Sequence, residues 1–331
     1  MKENKIIAEI GSTHDGNLNL ALKSIKSAAK CGADIVKFQM HIAEHETLRS
    51  APNPPFFKKE KRYDYFKRTA FSLENWKKII NECKINKVEF LCTPFSLKAV
   101  EILEILKVKA YKIASGEVTN LPLLKKINQT GKLVFLSSGM SNFKEIDNAI
   151  KIFTNKKKIC LMQCTSMYPC PDEHVGINVY SEFKKRYKIK IGFSDHTKDS
   201  LASITFAAIG CNYFEKHFTL SKKLYGSDAK YAMEPKEFKV YCENLNRVWK
   251  MTKTKINKND IKKFKLMKKV FEKSIVTKHF LNKNHIITIN DLVFLKPGTG
   301  IRADQYNKIV GLKTNKNIKK LKLLKFTDFS N

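Results

Sequence analysis

The chain has 331 residues, 43% of them hydrophobic, with 63 Lys and Arg against 31 Asp and Glu, for a formal net charge of +32. That length exceeds one ordinary domain and poses no obstacle to a sizeable core, so a large barrel fits it, alone or with a small appendage. Lysine supplies nearly all the positive charge and there are only six arginines (Arg49, Arg62, Arg68, Arg186, Arg247 and Arg302), which disfavours nucleic-acid recognition through bidentate guanidinium contacts and leaves capture of a multiply charged anion as a use for the basic surface.

At the N-terminus, MKENKIIAEIG turns apolar without a long signal-peptide core or a small-residue cleavage site. No run further along is long enough to cross a bilayer. A cytoplasmic protein with no nucleic-acid or membrane partner is the expectation. Short β-branched segments then recur: KIIAEI (5–10), DIVKFQ (34–39), VEFLCT (88–93), KAYKIA (109–114), KLVFLS (132–137), KICLMQC (158–164), IKIGFS (189–194) and NYFEKHF (212–218). Between most of them lie stretches with helical apolar spacing, such as Leu18, Ala21, Leu22, Ile25, Ala28 and Ala29. Eight strand and helix units within about 250 residues predict an α/β fold of the (β/α)8, or TIM, barrel type over residues 1–250.

The connection after the second strand begins HETLRSAPNPPFFKKEKRYDYF (45–66), with three prolines and five aromatics. A loop of this length leaving the C-terminal end of a barrel strand is expected to overhang the active face. A helix near 235–250 gives way to the polar, lysine-rich stretch 251–269, read as a linker or solvated helix. From 270 to 331, short alternating segments broken by Asn-Lys-Asn and Pro-Gly-Thr-Gly predict a small β-rich domain. Eight cysteines (Cys31, Cys83, Cys92, Cys160, Cys164, Cys170, Cys211 and Cys242) are dispersed through these elements and read as reduced thiols.

Reactive groups of such a barrel sit where strands end and loops begin at the C-terminal face. The strands deliver, in order, Glu9; Lys37 and Gln39; Thr93; Lys112 with Ser115 and Glu117; Ser137; CTSMYP (164–169); SDHT (194–197); and Glu215 with His217. A buried parallel strand should be nearly all apolar, so a lysine within one is either a snorkelling, outward-facing residue or a functional one. Two such lysines beside several hydroxyls suit a phosphorylated carboxylate, because ammonium groups offset its charge and hydroxyls hydrogen-bond its oxygens. His196 and His217 end adjacent strands and can converge on one divalent ion, with Asp195 and Glu9 as candidate oxygen partners. His41, His45 and His174 read as loop residues without a metal role, and His14 is ambiguous.

The segments AEIGSTHDG, GADIVKFQ, TPFS, YKIASGEVTNLPLL, SSGM, CTSMYPCP, GFSDHT and EKHFTL resemble, in order, the motifs of the N-acetylneuraminate (sialic acid) synthase family, which includes legionaminic and pseudaminic acid synthases. KPGTGI resembles the motif of that family's C-terminal antifreeze-like (SAF) domain. The resemblance implies condensation of phosphoenolpyruvate with N-acetylmannosamine or a related acetamido sugar, with release of phosphate. It implies a divalent metal, Mn²⁺ ahead of Mg²⁺ or Co²⁺, held by His196 and His217. Lys37, Thr93, Lys112, Ser115, Ser137 and Ser194 would hold phosphoenolpyruvate, while Glu9, Gln39, Tyr168 and Asp228 would face the sugar, and Glu117 is the acid/base candidate. Glu9, Lys112 and Glu117 are thus the expected catalytic groups. A domain-swapped homodimer is also implied.

One segment and two positions depart from the pattern: YGSDAKYAMEP (225–235) stands where the family has a GPD motif, although it retains Asp228. Lys296 replaces the arginine expected before the Pro-Gly pair, with Arg302 nearby, and Ser166 replaces an asparagine. Both bear on which acyl substituent the sugar carries. Two other readings stay open at this stage: an aldolase or 3-deoxy-sugar-acid synthase acting on another aldose, with a lysine Schiff base, and a polyanion-binding barrel without activity.

Overall fold

The computed structural model describes residues 4–53, 60–225 and 228–330. The first three residues, residues 54–59 of the expected overhanging loop, Gly226 and Ser227 of YGSDAKYAMEP, and Asn331 lie outside the described residues.

Eight parallel strands close into one barrel in sequence order: β1 (Lys5–Gly11), β2 (Ile35–Met40), β3 (Glu89–Pro94), β4 (Ala110–Ile113), β5 (Leu133–Ser137), β6 (Ile159–Cys164), β7 (Lys190–Asp195) and β8 (Tyr213–His217), with β8 hydrogen-bonded back to β1. The described helices of this unit are α1 (Leu18–Cys31), α2 (Ala43–Glu46), α3 (Arg62–Thr69), α4 (Leu73–Ile85), α5 (Leu97–Ile105), α6 (Leu121–Gln129), α7 (Phe143–Ile152), α8 (Ile177–Arg186), α9 (Leu201–Ala208) and α10 (Pro235–Lys253). Several start where a polar side chain satisfies an orphan backbone N–H: Asn17 caps α1, Ser72 α4, Ser96 α5 and Asn120 α6, and Asn142 with Glu145 forms a capping box on α7.

The alternation of side chains along each strand sorts the barrel into layers. Pointing inward near the N-terminal end, Ile7, Ile35, Leu91, Phe135, Cys160 and Met162 form a compact plug, with Ala110, Leu133 and Tyr213 against it. Two residues further along the same strand faces stand Glu9, Lys37, Thr93, Lys112, Ser137, Cys164 and Glu215. Each polar group is therefore lifted one layer above an apolar one, and the plug supports them from below. On β7 the plug position is Gly192, where a Cβ would come within 2.4 Å of Met162 Sδ and 2.9 Å of Tyr213. The intervening outward residues, among them Ile6, Ala8, Val36 and Phe38, pack under the apolar stripes of the helices, including Ala21, Ile25 and Ala28 of α1. Each fully buried aliphatic or aromatic side chain of this kind contributes about 1.5–3 kcal/mol.

The chain divides into two compact units between Thr254 and Lys255. The stretch read as a linker or solvated helix is partly helical: α10 runs on to Lys253, and a 3-10 turn (Lys262–Phe264) leads into α11 (Lys265–Phe271). Lysines are good helix formers and suit the negative end of a helix dipole, so a lysine-rich composition does not by itself end a helix. The second unit pairs β9 (Ser274–Thr277) with β10 (Leu292–Leu295) and β11 (Lys313–Thr314) with β12 (Phe329–Ser330), both antiparallel, around Ile275, Leu281, Ile287, Ile309, Ile318 and Leu324.

This smaller unit is an internal repeat whose halves clasp one another. Thr277 Oγ1 donates to Lys319 O at 2.7 Å and accepts from Lys322 N at 3.0 Å; Thr314 Oγ1 donates to Asn282 O at 2.6 Å and accepts from His285 N at 3.0 Å. Leu281 and Ile318 exchange both backbone hydrogen bonds, at 2.9 and 2.8 Å. Asp291 is ion-paired with His279 and Asp328 with Lys316, at the same sequence interval. All eight cysteines are buried and free.

Candidate active site

A cavity of about 320 Å³ opens at the C-terminal end of the barrel and takes side chains from every strand end except that of β6, where Tyr168 of the following loop serves instead. That volume lies at the lower end of the range for small-molecule sites. At its floor, Lys37 Nζ sits 2.8 Å from Glu9 Oε2, 3.5 Å from Glu215 Oε1 and 3.4 Å from Thr93 Oγ1. Lys112 Nζ donates to both oxygens of Glu215, at 3.0 and 2.8 Å, and Ser194 Oγ donates to Glu215 Oε1 at 3.3 Å. Ser115 and Ser137 share a hydrogen bond of 3.1 Å beside them. The strand lysines therefore point inward, against the snorkelling alternative.

Burial opposes charge on all these groups, and the pairing decides which charges survive. Burial alone would raise Glu215, but Lys112 and Lys37 hold it down to about 2. Burial would lower Lys37, and Glu215 and Glu9 more than reverse this, so it stays a cation. At Glu9 burial prevails over Lys37, with Glu215 adding repulsion, and the carboxyl is raised above its ordinary range. Glu9 is thus the floor carboxyl best able to carry a proton.

Gln39 Nε2 donates to Glu9 Oε1 at 2.7 Å, and the pair lies beside Asp228 around Gly11. Gly11 makes the approach achievable. Its φ is +55°, which L side chains rarely adopt, and a Cβ there would lie 2.7 Å from Asp228 Oδ2.

The adjoining wall carries the histidine pair, His217 being the β8 register partner of Glu9. His196 and His217 have ring centroids 5.5 Å apart, and Tyr168 stacks on His196 at 4.2 Å. His196 Nδ1 lies 2.9 Å from Thr165 O, which directs its other nitrogen elsewhere. Burial pushes His217 down to about 4, against the pull of Asp228, so the ring is neutral near pH 7. Its Nδ1 is buried with no hydrogen-bond partner. A neutral imidazole with an idle buried lone pair is the donor a divalent ion requires. Among the described residues no set of three or more His, Cys, Asp and Glu side chains converges on one point. Burial would raise the Cys164 thiol, but His196, 3.7 Å from Sγ, holds it down to about 7.

The overhanging connection contributes the rim. His41 lies flat between Phe66 at 3.8 Å and Phe95 at 4.3 Å, with Glu46 at 2.7 Å from Nδ1 and Gln39 at 3.1 Å from Nε2. Arg62 and Tyr65 of α3 line the same opening.

Of the residues expected from the sequence, Glu9, Lys37, Gln39, Thr93, Lys112, Ser115, Ser137, Tyr168, Ser194, His196, His217 and Asp228 all line this cavity. Three expected site residues fall outside its lining. Glu117 ends a 3-10 turn just past Ser115, where its carboxylate accepts from Asn120 Nδ2 at 2.7 Å, and burial raises it. Ser166 packs behind the lining against Gly139, where a Cβ would come within 2.3 Å of its Oγ. Lys296 belongs to the second unit, with its ammonium 5.2 Å from the centre of the Phe271 ring. Asp195, considered as a metal partner, points outward, because its neighbours Ser194 and His196 take the inward positions. Its carboxylate meets Lys216 at 3.1 Å and Ser203 at 2.6 Å. His14 is buried beside Phe71 and accepts from Gly16 N, outside the main cavity.

Residues that sequence reasoning passed over include His41 and Phe95, each two positions beyond a recognised inward residue, Gln39 and Thr93, so the strand period could have found them. Nothing in the local pattern marks Arg62 or Phe66, which α3 carries in from the overhang.

A closed (β/α)8 barrel with paired ammonium and carboxylate groups under a histidine pair defines an enzyme of the barrel class that acts on a small anionic substrate. The chain belongs to the NeuB family, whose model matches residues 24–257. It is 36% identical to N,N'-diacetyllegionaminic acid synthase of Campylobacter jejuni, covering 98% of this chain and 100% of that protein. It is 30% identical to pseudaminic acid synthase of Helicobacter pylori, covering 95% of this chain and 94% of the relative. Among solved structures, N-acetylneuraminic acid synthetase of Leptospira borgpetersenii in complex with citrate is similar, with a TM-score of 0.69, 28% identity and coverage of 80% of this chain and 90% of that one.

Proposed function

We propose that this chain is a sialic-acid-type synthase that condenses phosphoenolpyruvate with N-acetylmannosamine or a related acetamido sugar and releases phosphate. The observation that carries the reading is the floor: two buried lysines and the hydroxyls of Thr93, Ser115, Ser137 and Ser194 gathered in one cavity. This is the donor set that a phosphorylated carboxylate requires. Glu9, Gln39, Tyr168 and Asp228 are assigned to the sugar. In the reaction the C2=C3 electrons of phosphoenolpyruvate form a bond to the open-chain aldehyde carbon, whose oxygen takes up a proton. Water adds at C2, and the resulting centre collapses to a ketone as its C–O bond to phosphate breaks. Glu9 and Glu117 are both raised by burial, and Glu9 is the better placed to supply the proton, since it lines the cavity and Glu117 does not. Lys37 and Lys112 hold the anion, and the confined cavity holds the two carbons adjacent.

His196 and His217 would hold a divalent ion, Mn²⁺ ahead of Mg²⁺ or Co²⁺, which when bound supplies Lewis-acid polarisation of a carbonyl oxygen. A Schiff-base aldolase is the weaker reading. Lys112 donates to both oxygens of Glu215, and Lys37 is held as a cation by Glu9 and Glu215, so neither offers a free amine. We assign residues 270–331 to an antifreeze-like (SAF) domain and propose a swapped homodimer acting in the cytoplasm; sedimentation velocity tests the dimer. No described helix is long and apolar enough to cross a membrane.

The deciding experiment incubates the metal-supplied protein with phosphoenolpyruvate and a panel of acetamido sugars and identifies products by mass spectrometry. Phosphate release tied to a product extended by three carbons supports the reading. Absence of turnover with both N-acetylmannosamine and a 2,4-diacetamido-trideoxyhexose overturns it.

A further inference from the structure

We infer that Arg62 selects the sugar by binding the carbonyl oxygen of its acylamino substituent. The inference rests on the synthase reading above and adds a residue to it. Arg62 opens α3 and its side chain lines the cavity. Its Nε is buried with no hydrogen-bond partner, and among the described residues its guanidinium forms no ion pair. The centre of the Phe66 ring lies 5.3 Å from its Cζ. The other strong cations of the cavity are matched, Lys37 by Glu9 and Glu215, and Lys112 by Glu215. A donor left unmatched in a buried place forfeits the hydrogen bonds water would give it, so this one is set for an acceptor that arrives with a ligand.

The surroundings indicate which acceptor. Glu117 lies within electrostatic reach of both Arg62 and Glu46, and Glu46 itself holds His41. A carboxyl group already within reach of the guanidinium disfavours a second anion such as a sugar phosphate and leaves a neutral carbonyl as the fitting partner. The stack of Phe66, His41 and Phe95 supplies an apolar wall beside it for the methyl end of an acyl group. Arginine's planar fork can donate to such a carbonyl from two nitrogens, which lysine cannot.

The test compares wild type, Arg62→Met and Arg62→Lys in steady-state turnover at saturating phosphoenolpyruvate. The sugars are an acetamido sugar, its analogue with a hydroxyl in place of the acetamido group, and the 6-phosphorylated acetamido sugar. Arg62→Met is expected to raise KM for the acetamido sugar by about tenfold and to reduce the preference over the hydroxyl analogue by the same factor. KM for phosphoenolpyruvate should stay within about twofold, and Arg62→Lys should not restore the preference. An unchanged preference in an active Arg62→Met overturns this inference alone, as does a loss confined to the phosphorylated sugar. If Arg62→Met does not fold, Arg62→Lys decides, and full preference in that variant overturns the inference. A wild type inactive on every sugar overturns the synthase reading and this inference with it.

Discussion

Lys112 and Glu215 meet across the full width of the barrel: β4 and β8 stand opposite one another in the ring, and the lysine reaches both carboxylate oxygens, at 3.0 and 2.8 Å. A buried pair that bridges the floor in this way is expected to be structural as well as chemical. Removing one partner leaves an uncompensated buried charge, a loss of about 3–5 kcal/mol. Lys112→Met should therefore lower the denaturant midpoint and abolish turnover, whereas Lys112→Met with Glu215→Leu should recover much of the stability and none of the activity. Equal stability of wild type and Lys112→Met would refute the bridge.

Metal dependence should follow the histidine pair. Treatment with a chelator is expected to remove activity, and re-addition of Mn²⁺ to restore it. His217→Ala should retain less than one equivalent of metal by elemental analysis and lose on the order of 100-fold or more in kcat, with a nearly unchanged melting temperature. Full metal content in His217→Ala would exclude it as a ligand.

Gly139 tests how tightly the anion site is built. A methyl group there would sit 2.5 Å from Ser115 Oγ and 2.3 Å from Ser166 Oγ. Gly139→Ala should push Ser115 from its hydrogen bond with Ser137 and raise KM for phosphoenolpyruvate by about tenfold, at a stability loss of about 1–3 kcal/mol. A variant with wild-type KM would show that Ser115 does not depend on this close approach.

Acid should loosen the second unit. Burial would raise Asp291, but His285, Thr288 and His279 outweigh it and hold the carboxyl well below the ordinary 3.8. A depressed carboxylate contributes stability that is fully present above the unfolded value and is lost as pH falls below it. NMR of the Asp291 carboxyl carbon should accordingly give a midpoint below 3.8, and Asp291→Asn should be less stable at pH 6 and show a shallower decline on acidification. A midpoint at the ordinary value would remove the basis for this expectation.

Most of the barrel could be read from the chain because β-strand periodicity governs both its core and its chemistry. Ile7 and Glu9, Ile35 and Lys37, and Leu91 and Thr93 are each two residues apart on one face, so recognising the strand places the polar group. The same rule would have admitted His41 and Phe95 had it been followed one step past each strand end, and it explains why Asp195 faces away from the site. Arg62 and Phe66 obey no such rule. They are brought in by a connection whose path depends on packing between residues distant in sequence, such as Arg68 with Asp15 and Glu60 with Tyr225. Likewise, no local signal said that α10 would continue to Lys253, since lysine suits both a solvated helix and a linker.

The reciprocal threonine contacts of the second unit carry a consequence for how it folds. Thr277 secures the turn around Lys319 to Lys322, and Thr314 secures the turn around Asn282 to His285, so each half completes the other's backbone. Neither half has a finished hydrogen-bond complement by itself, and the central Leu281 and Ile318 exchange closes only when both are present. The unit should behave as a single foldon whose amides exchange with solvent together, and a chain cut between the halves would lose the whole of it.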